Sequence, residues 1–231
     1  MNAASWPPPS LACRLCAAPA ILLGARADVA LYRCPACAFV SGQPAQDLAA
    51  EERYGHYYRG QPPPSPDARY REWLERAERR TGVGRLLEVG AGSGAFVRVA
   101  LERGWKADAI EMAPAGAERL RELGARVHQG DLEQAGYADG QFDLVVSLEV
   151  LEHLPRPRPH LEALARITRP GGLLLLSTPN HGGLSRRWLG LRWRVIDPEH
   201  LGYFTPRTLA SAARRAGFGE VRVRSRSLDI S

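Results

Sequence analysis

The chain has 231 residues, 45% of them hydrophobic and 24% charged, a balance that supports a packed core and excludes a disordered or collagen-like chain. Its apolar runs are short, Leu173 to Leu176 being typical, and none approaches the roughly 20 residues of a membrane-spanning helix. The formal charge of +6 arises from 31 basic and 25 acidic residues, and the excess lies at the end of the chain, where residues 181–231 carry 10 basic and 4 acidic groups.

Met1 to Ser10 carries Pro7, Pro8 and Pro9 where a signal peptide needs a basic start and an apolar stretch, which points to a reducing cytoplasm. Cys13 and Cys16 then form one C-x-x-C and Cys34 and Cys37 a second, with 17 residues between the pairs. This spacing matches a zinc ribbon. Two tight turns bring four thiolates together, and zinc accepts a closed four-sulfur site with no open position, so the metal expected here is structural. Two disulfides do not suit a reducing compartment, and a redox C-x-x-C lacks its βαβ setting. The predicted ribbon unit, with its Pro-rich tail, covers residues 1–42.

Residues 43–80 read as a linker followed by a helix. The segment from Gln43 to Pro66 is rich in Pro, Gly and Tyr, and Tyr57 and Tyr58 within it are candidates for a lid or for packing between domains. From Asp67, a suitable N-cap, to Arg80, the residues Tyr70, Trp73, Leu74 and Ala77 fall on one helical face. Residues 81–231 then alternate short apolar runs with amphipathic stretches, the pattern of a parallel sheet covered by helices. Strands are predicted at Leu86 to Val89, Lys106 to Glu111, Arg126 to Gln129, Phe142 to Ser147 and Gly172 to Thr178. Helices are predicted at Ala95 to Arg103, Ala115 to Leu123 and His160 to Thr168. The fold class is α/β, a Rossmann-like doubly wound sheet, and its ligand belongs beyond the carboxyl ends of the strands.

The first strand runs into Glu88-Val89-Gly90-Ala91-Gly92-Ser93-Gly94, where three glycines permit a sharp bend and a close ligand approach. With Ala95 the string also fits the dinucleotide fingerprint of a nicotinamide dehydrogenase. Glu111, closing the second strand, suits the two ribose hydroxyls of either cofactor. Gly130-Asp131-Leu132 ends the third strand with a carboxylate suited to an exocyclic adenine amine, and Phe142 to Ser147 leads into Leu148-Glu149-Val150-Leu151-Glu152-His153-Leu154. Over roughly Arg85 to Val223 the chain resembles the class I S-adenosylmethionine-dependent methyltransferases. The resemblance implies that Glu88, Gly90, Gly92 and Gly94 border the methionine part of that cofactor. It places Glu111 and Met112 at the ribose and adenine, Asp131 and Leu132 at the adenine, and Ser147 on the sulfonium side.

After the fifth predicted strand come Pro179-Asn180, the stretch Ser185 to Val195 with Trp188 and Trp193 among Arg186, Arg187, Arg192 and Arg194, and then Asp197-Pro198-Glu199-His200. The last helix, Pro206 to Ala216, has Thr205 as N-cap and Pro206 at its first position. This arrangement, with the ribbon ahead of it, resembles the methyltransferases that act on sugars, quinone precursors and other small molecules. It implies His200 as general base, with Glu199 either orienting it or pointing to solvent. The acceptor expected is a small molecule methylated at oxygen, a sugar or cell-surface glycan precursor, phosphorylated or nucleotide-linked forms included, since the arginines suit phosphate. An RNA base methyltransferase is the main alternative, although the ribbon is nearly neutral. A non-catalytic, zinc-dependent interaction protein on the same scaffold is the second. A sixth strand is predicted at Phe218 to Arg226, with little chain left for a seventh, so the sheet edge is open to a partner or to a second copy.

Overall fold

The structure, a computed structural model, describes residues 6–46 and 67–225. Tyr57 and Tyr58 lie outside the described residues. The chain forms two compact units, each discontinuous in sequence: one built from residues 6–46, 151–161 and 178–225, the other from 67–150 and 162–177.

The second unit holds a five-stranded, all-parallel sheet of β5 (Arg85–Val89), β6 (Lys106–Glu111), β7 (Arg126–Gln129), β8 (Phe142–Leu148) and β9 (Thr168–Ser177), in the order β7-β6-β5-β8-β9. The order reverses between β5 and β8, which puts the ligand crevice at the carboxyl ends of those two strands. Strand β9 starts four residues before the predicted Gly172, because Thr168 already pairs with Phe142 ahead of a register shift. The helix before it spans Pro157–Ile167 rather than His160 to Thr168. Proline suits a first helical turn, and Thr168 belongs to the strand.

Helix α1 (Asp67–Thr81) buries Leu74 and Ala77, and its Tyr70 ring packs edge-on against Phe96 at 5.1 Å. Helices α2 (Ala95–Glu102) and α3 (Pro114–Glu122) supply Val97, Val99, Ala100 and Leu120 to the same core, where they meet Leu86, Leu144 and Val146 of the sheet. The predicted face of α1 is therefore packing. Ion pairs tie this helix to its neighbours, Arg98 with Asp67 at 2.6 Å and Arg103 with Glu78 at 2.6 Å.

The first unit is an antiparallel sheet of β1 (Ser10–Ala12), β2 (Pro19–Ala25), β3 (Val29–Arg33), β4 (Val40–Pro44) and β10 (Gly202–Tyr203), joined in that order. The sequence pattern predicts the ribbon's end at residue 42. In space β4 continues to Pro44, and a strand from more than 150 residues away extends the sheet. The core of this unit joins Val29, Leu31 and Val40 to Trp193, Ile196 and Tyr203, with Phe39 and Phe204 ring centroids 4.8 Å apart. Helix α4 (Pro157–Ile167) crosses from one unit's residues to the other's. Helix α5 (Leu184–Leu189) is short and has no buried residue.

Helix α6 (Pro206–Ala216) begins as predicted. Thr205 Oγ1 accepts from Thr208 N–H at 3.2 Å, and Thr208 Oγ1 accepts from Thr205 N–H at 2.8 Å, a reciprocal cap. The predicted sixth strand does not form over described residues 218–225. Val221 and Val223 alternate in burial with exposed Arg222 and Arg224, but no neighbouring strand supplies a hydrogen-bond ladder, and alternation alone does not hold a strand.

Candidate functional site

At the carboxyl end of β5 the chain turns through Gly90, Gly92 and Gly94, whose φ angles are +72°, +54° and +76°. All three lie in the left-handed region that side chains disfavour. Gly90 and Ala91 N–H groups donate to the Ile110 carbonyl at 2.9 and 3.2 Å, which pins the bend to β6. A Cβ at Gly90 would stand 2.5 Å from Val150 Cγ2, and one at Gly94 would stand 2.8 Å from Leu123 Cδ1. By contrast, a Cβ at Gly92 would meet nothing nearer than the Gly90 carbonyl at 4.0 Å. The outer face of the bend is thus an open cradle with no side chain in it.

Glu111 ends β6 and is only 5% exposed. Its Oε2 accepts from Gly92 N–H at 2.9 Å, and its Oε1 accepts from Ala113 N–H at 2.9 Å. One carboxylate therefore ties the glycine bend to the turn after β6. An ionised carboxylate has about four lone-pair positions, so each oxygen keeps one for a ligand hydroxyl. Asp131, beyond β7, is exposed, Leu132 beside it is buried, and Met112 is half exposed. These three bring a carboxylate and two apolar side chains to the ends of neighbouring strands. Gly130 N–H donates to the Glu111 carbonyl at 3.1 Å, which couples the two turns.

Glu88 and Ser147 sit deeper. Burial pushes the Glu88 carboxyl well above the ordinary carboxylate range, the hydrogen bond from Val97 N–H opposes this, and the charge of Glu111 adds to the rise. Val97 stands in the first turn of α2, whose N-cap Gly94 has no side chain to offer, so Glu88 satisfies an amide that the helix start leaves open. The sequence reading expected Glu88 to provide acidic company for the methionine ammonium. The structure ties Glu88 to the first turn of α2 through Val97 N–H. Ser147, paired with Val89 in register, is wholly buried, and its Oγ has no hydrogen-bond partner among the described residues.

The residue that sequence reading passed over is Glu149, which follows β8. It is exposed and has φ of +53°, a conformation that costs a non-glycine residue on the order of 1 kcal/mol. Ser177 holds it, the hydroxyl donating to Glu149 Oε1 at 2.6 Å and the carbonyl accepting from Glu149 N–H at 3.1 Å. Its neighbour Val150 is the side chain that abuts Gly90. An exposed carboxylate therefore stands beside the glycine bend. The signal for it was its place at the end of the fourth parallel strand.

In the ribbon unit the four cysteine sulfurs converge. Cys13 and Cys37 are 3.6 Å apart, Cys16 and Cys34 3.6 Å, and Cys16 and Cys37 3.5 Å. A disulfide needs about 2.05 Å, whereas the edge of a tetrahedron with metal–sulfur bonds of about 2.3 Å is roughly 3.8 Å. The donor set fits a closed four-sulfur site. Both turns are built alike: Ala17 N–H donates to the Cys13 carbonyl at 2.8 Å and Ala38 N–H to the Cys34 carbonyl at 2.9 Å, with φ near +60° at Ala17 (62°) and Ala38 (61°).

The same unit holds a histidine cluster. His200 Nδ1 lies 2.6 Å from the Val195 carbonyl and 3.1 Å from Asp197 Oδ2. The carboxylate at His200 is thus Asp197, and of the two expectations for Glu199 the orienting one is not met by its side chain. Asp197 Oδ1 also accepts from the Glu199 and His200 N–H groups at 2.8 and 3.0 Å, because Pro198 turns the chain back over it. Glu199 contributes its carbonyl, which accepts from His153 Nδ1 at 3.3 Å. The His153 and His200 rings are 4.6 Å apart. Burial works against a charged His200, but the Asp197 hydrogen bond and charge, the Val195 carbonyl and the Glu152 charge outweigh it and push the pKa up to about 9.

The two tryptophans of the arginine-rich stretch part company. Trp188 on α5 is 90% exposed, whereas Trp193 is buried in the ribbon core. They do not form one aromatic surface.

A family of methyltransferase domains matches residues 55–222. A malonyl-[acyl-carrier protein] O-methyltransferase of Serratia marcescens is 35% identical over 158 residues, covering 63% of this chain and 61% of the relative. A ubiquinone biosynthesis O-methyltransferase of Dechloromonas aromatica is 32% identical over 150 residues, with 62% of each chain covered. The match thus spans about three fifths of these relatives' length. Among solved structures, an S-adenosylmethionine-dependent methyltransferase of Archaeoglobus fulgidus superposes with a TM-score of 0.57 at 23% identity, over 68% of this chain and 69% of that one. The [4+2]-cyclase SpnF has a TM-score of 0.51 at 24% identity, over 70% and 61%. These superpositions establish the fold alone, which hosts more than one chemistry.

Proposed function

The chain belongs to the class I S-adenosylmethionine-dependent methyltransferase-domain family, and we propose that it transfers a methyl group from that cofactor to an oxygen of a small molecule, a sugar or glycan precursor. The observation that carries the reading is the cradle itself: an open glycine bend at the β5 carboxyl end, tethered by the buried Glu111, with Asp131 in the turn after β7. The residues present fit the cofactor. Glu111 retains acceptor capacity for ribose hydroxyls, Asp131 for an adenine amine, and Met112 and Leu132 supply apolar contact. Glu149 is the exposed carboxylate suited to an ammonium.

When bound, the cofactor supplies a methyl group already activated on a sulfonium, so the protein's task is alignment and proton removal. His200 is the base in this reading, oriented by Asp197 rather than Glu199. The four cysteines would hold a structural zinc ion, which would leave no open position for chemistry. The relatives' printed activities, both O-methylations, agree with an oxygen acceptor.

Calorimetric titration with S-adenosylhomocysteine and with NAD tests the reading. Binding of the former is expected, and binding of NAD alone would overturn it. Gly90→Ala sharpens the test. It forces a methyl group to 2.5 Å from Val150 Cγ2 at a left-handed position, so the Glu149–Val150 segment must shift. The expected result is a loss of about 1–3 kcal/mol in stability and at least tenfold in S-adenosylhomocysteine affinity. An unchanged affinity would place the cofactor elsewhere.

A further inference from the structure

The ribbon unit contains a cavity of about 420 Å³ lined by Leu23, Arg33, Ala38, Val40, His181, Thr205, Arg207 and Thr208. We infer that this cavity binds the diphosphate ester of the acceptor, and so makes the ribbon unit the acceptor's handle. This rests on the methyltransferase reading for the word acceptor, but the cavity and its chemistry stand without it.

Arg33 and Arg207 are exposed, and neither has an ion pair or hydrogen bond among the described residues. Elsewhere in the unit Arg26 pairs with Asp28 and Arg14 bonds to Gly42 and Gln43, so these two are the cavity's own free guanidinium groups among the described residues. No acidic residue lines the cavity, so two guanidinium groups stand over it uncompensated. Guanidinium is the side chain best matched to phosphate, giving paired, charge-assisted hydrogen bonds. Mono-anionic ligands would satisfy one such group; two favour a doubly charged diphosphate.

His181 adds a neutral donor. Its Nε2 accepts from Arg186 Nε at 3.0 Å, so the ring proton resides on Nδ1. Burial and the Arg186 charge hold its pKa down at about 4, and the ring stays uncharged at neutral pH. The backbone fixes it, since His181 N–H donates to the Phe204 carbonyl at 2.8 Å. Leu23, Ala38 and Val40 give the cavity an apolar side, suited to a base or an isoprenoid rather than to inorganic phosphate. The volume falls within the range of about 300–1,000 Å³ of small-molecule sites. Ala38 is the left-handed residue that closes the second cysteine turn, so the metal-site geometry also shapes the cavity wall.

Two sources share this chemistry, a nucleoside diphosphate sugar and a lipid-linked diphosphate. Calorimetric titration of the intact chain with uridine diphosphate and, separately, with farnesyl diphosphate distinguishes them. At least one is expected to bind. Arg33→Gln and Arg207→Gln are each expected to weaken it about tenfold or more, while S-adenosylhomocysteine affinity and melting temperature stay unchanged. Binding of uridine diphosphate alone assigns the nucleotide source, and of farnesyl diphosphate alone the lipid source. Absence of binding by both, or binding unchanged in both variants, overturns the proposal. Failure of the methyltransferase reading registers separately, as absence of S-adenosylhomocysteine binding.

Discussion

Replacing Cys34 with Ser is expected to release the metal from the ribbon unit and to collapse its two cysteine turns. Cys34 is fully buried, and its N–H and carbonyl both take part in the second turn, bonding to Phe39 and Ala38 at 2.9 Å each. The sulfur is therefore fixed in place, and serine oxygen is a poor substitute for a thiolate at zinc. A structural zinc site contributes on the order of 10 kcal/mol to folding, comparable with the total stability of a domain, about 5–15 kcal/mol.

The ribbon has a second support, since β10, Trp193, Ile196 and Tyr203 close its core. Stripping the metal should accordingly melt the turns and loosen the sheet rather than leave a random coil. The expected measurements are one zinc ion per chain in the purified protein, its release in Cys34→Ser, and a fall in the near-ultraviolet circular dichroism of Tyr32, Trp193 and Tyr203. A chain that carries no zinc and keeps its melting temperature in Cys34→Ser would refute the metal site.

The second large effect is on the pH profile. At neutral pH His200 is an imidazolium, with its pKa near 9, and a protonated ring accepts no proton. If it is the base, kcat/KM should rise about tenfold per pH unit from neutrality and level off near pH 9, roughly a 100-fold gain from pH 7. His200→Ala should lower the plateau by about 10²-fold or more and leave S-adenosylhomocysteine affinity intact. Asp197→Asn separates catalysis from support: without that charge, burial is opposed only by the Val195 carbonyl and the Glu152 charge, and the inflection should move down from about 9 towards neutrality. A flat profile, or one that falls above pH 9, would remove His200 from proton transfer.

Stability should run in the opposite direction. The folded-state pKa lies above the ordinary value, so the His200–Asp197 pair stabilises the fold fully below about pH 6.5 and loses that contribution as pH rises through 9. The shift corresponds to roughly 3 kcal/mol, visible as a falling melting temperature over that window. An enzyme faster at pH 9 yet less stable there is the combined signature.

The sequence alone determined the parallel sheet, the glycine bend, Glu111 and Asp131 at strand ends, and the paired cysteines. Each of these is set by local chemistry: apolar runs of strand length, glycines where φ must be positive, carboxylates at fixed offsets, thiols two residues apart. It also announced the cap of α6, because Thr205 and Pro206 need only each other and Thr208. Tertiary structure alone decided what the side chains at those places do. The Glu88 carboxyl is pushed up because the sheet around it excludes water and the Glu111 charge lies near, against the opposing hydrogen bond from Val97 N–H. Trp193 is core and Trp188 is surface, although they lie five residues apart among the same arginines. The ribbon's fifth strand comes from Gly202 and Tyr203, a pairing that no local pattern encodes. Asp197 rather than Glu199 meets His200 because Pro198 folds the loop back on itself. Burial and charge pairing are properties of neighbours brought together from distant parts of the chain, and they fix protonation and partnership only once the backbone has closed.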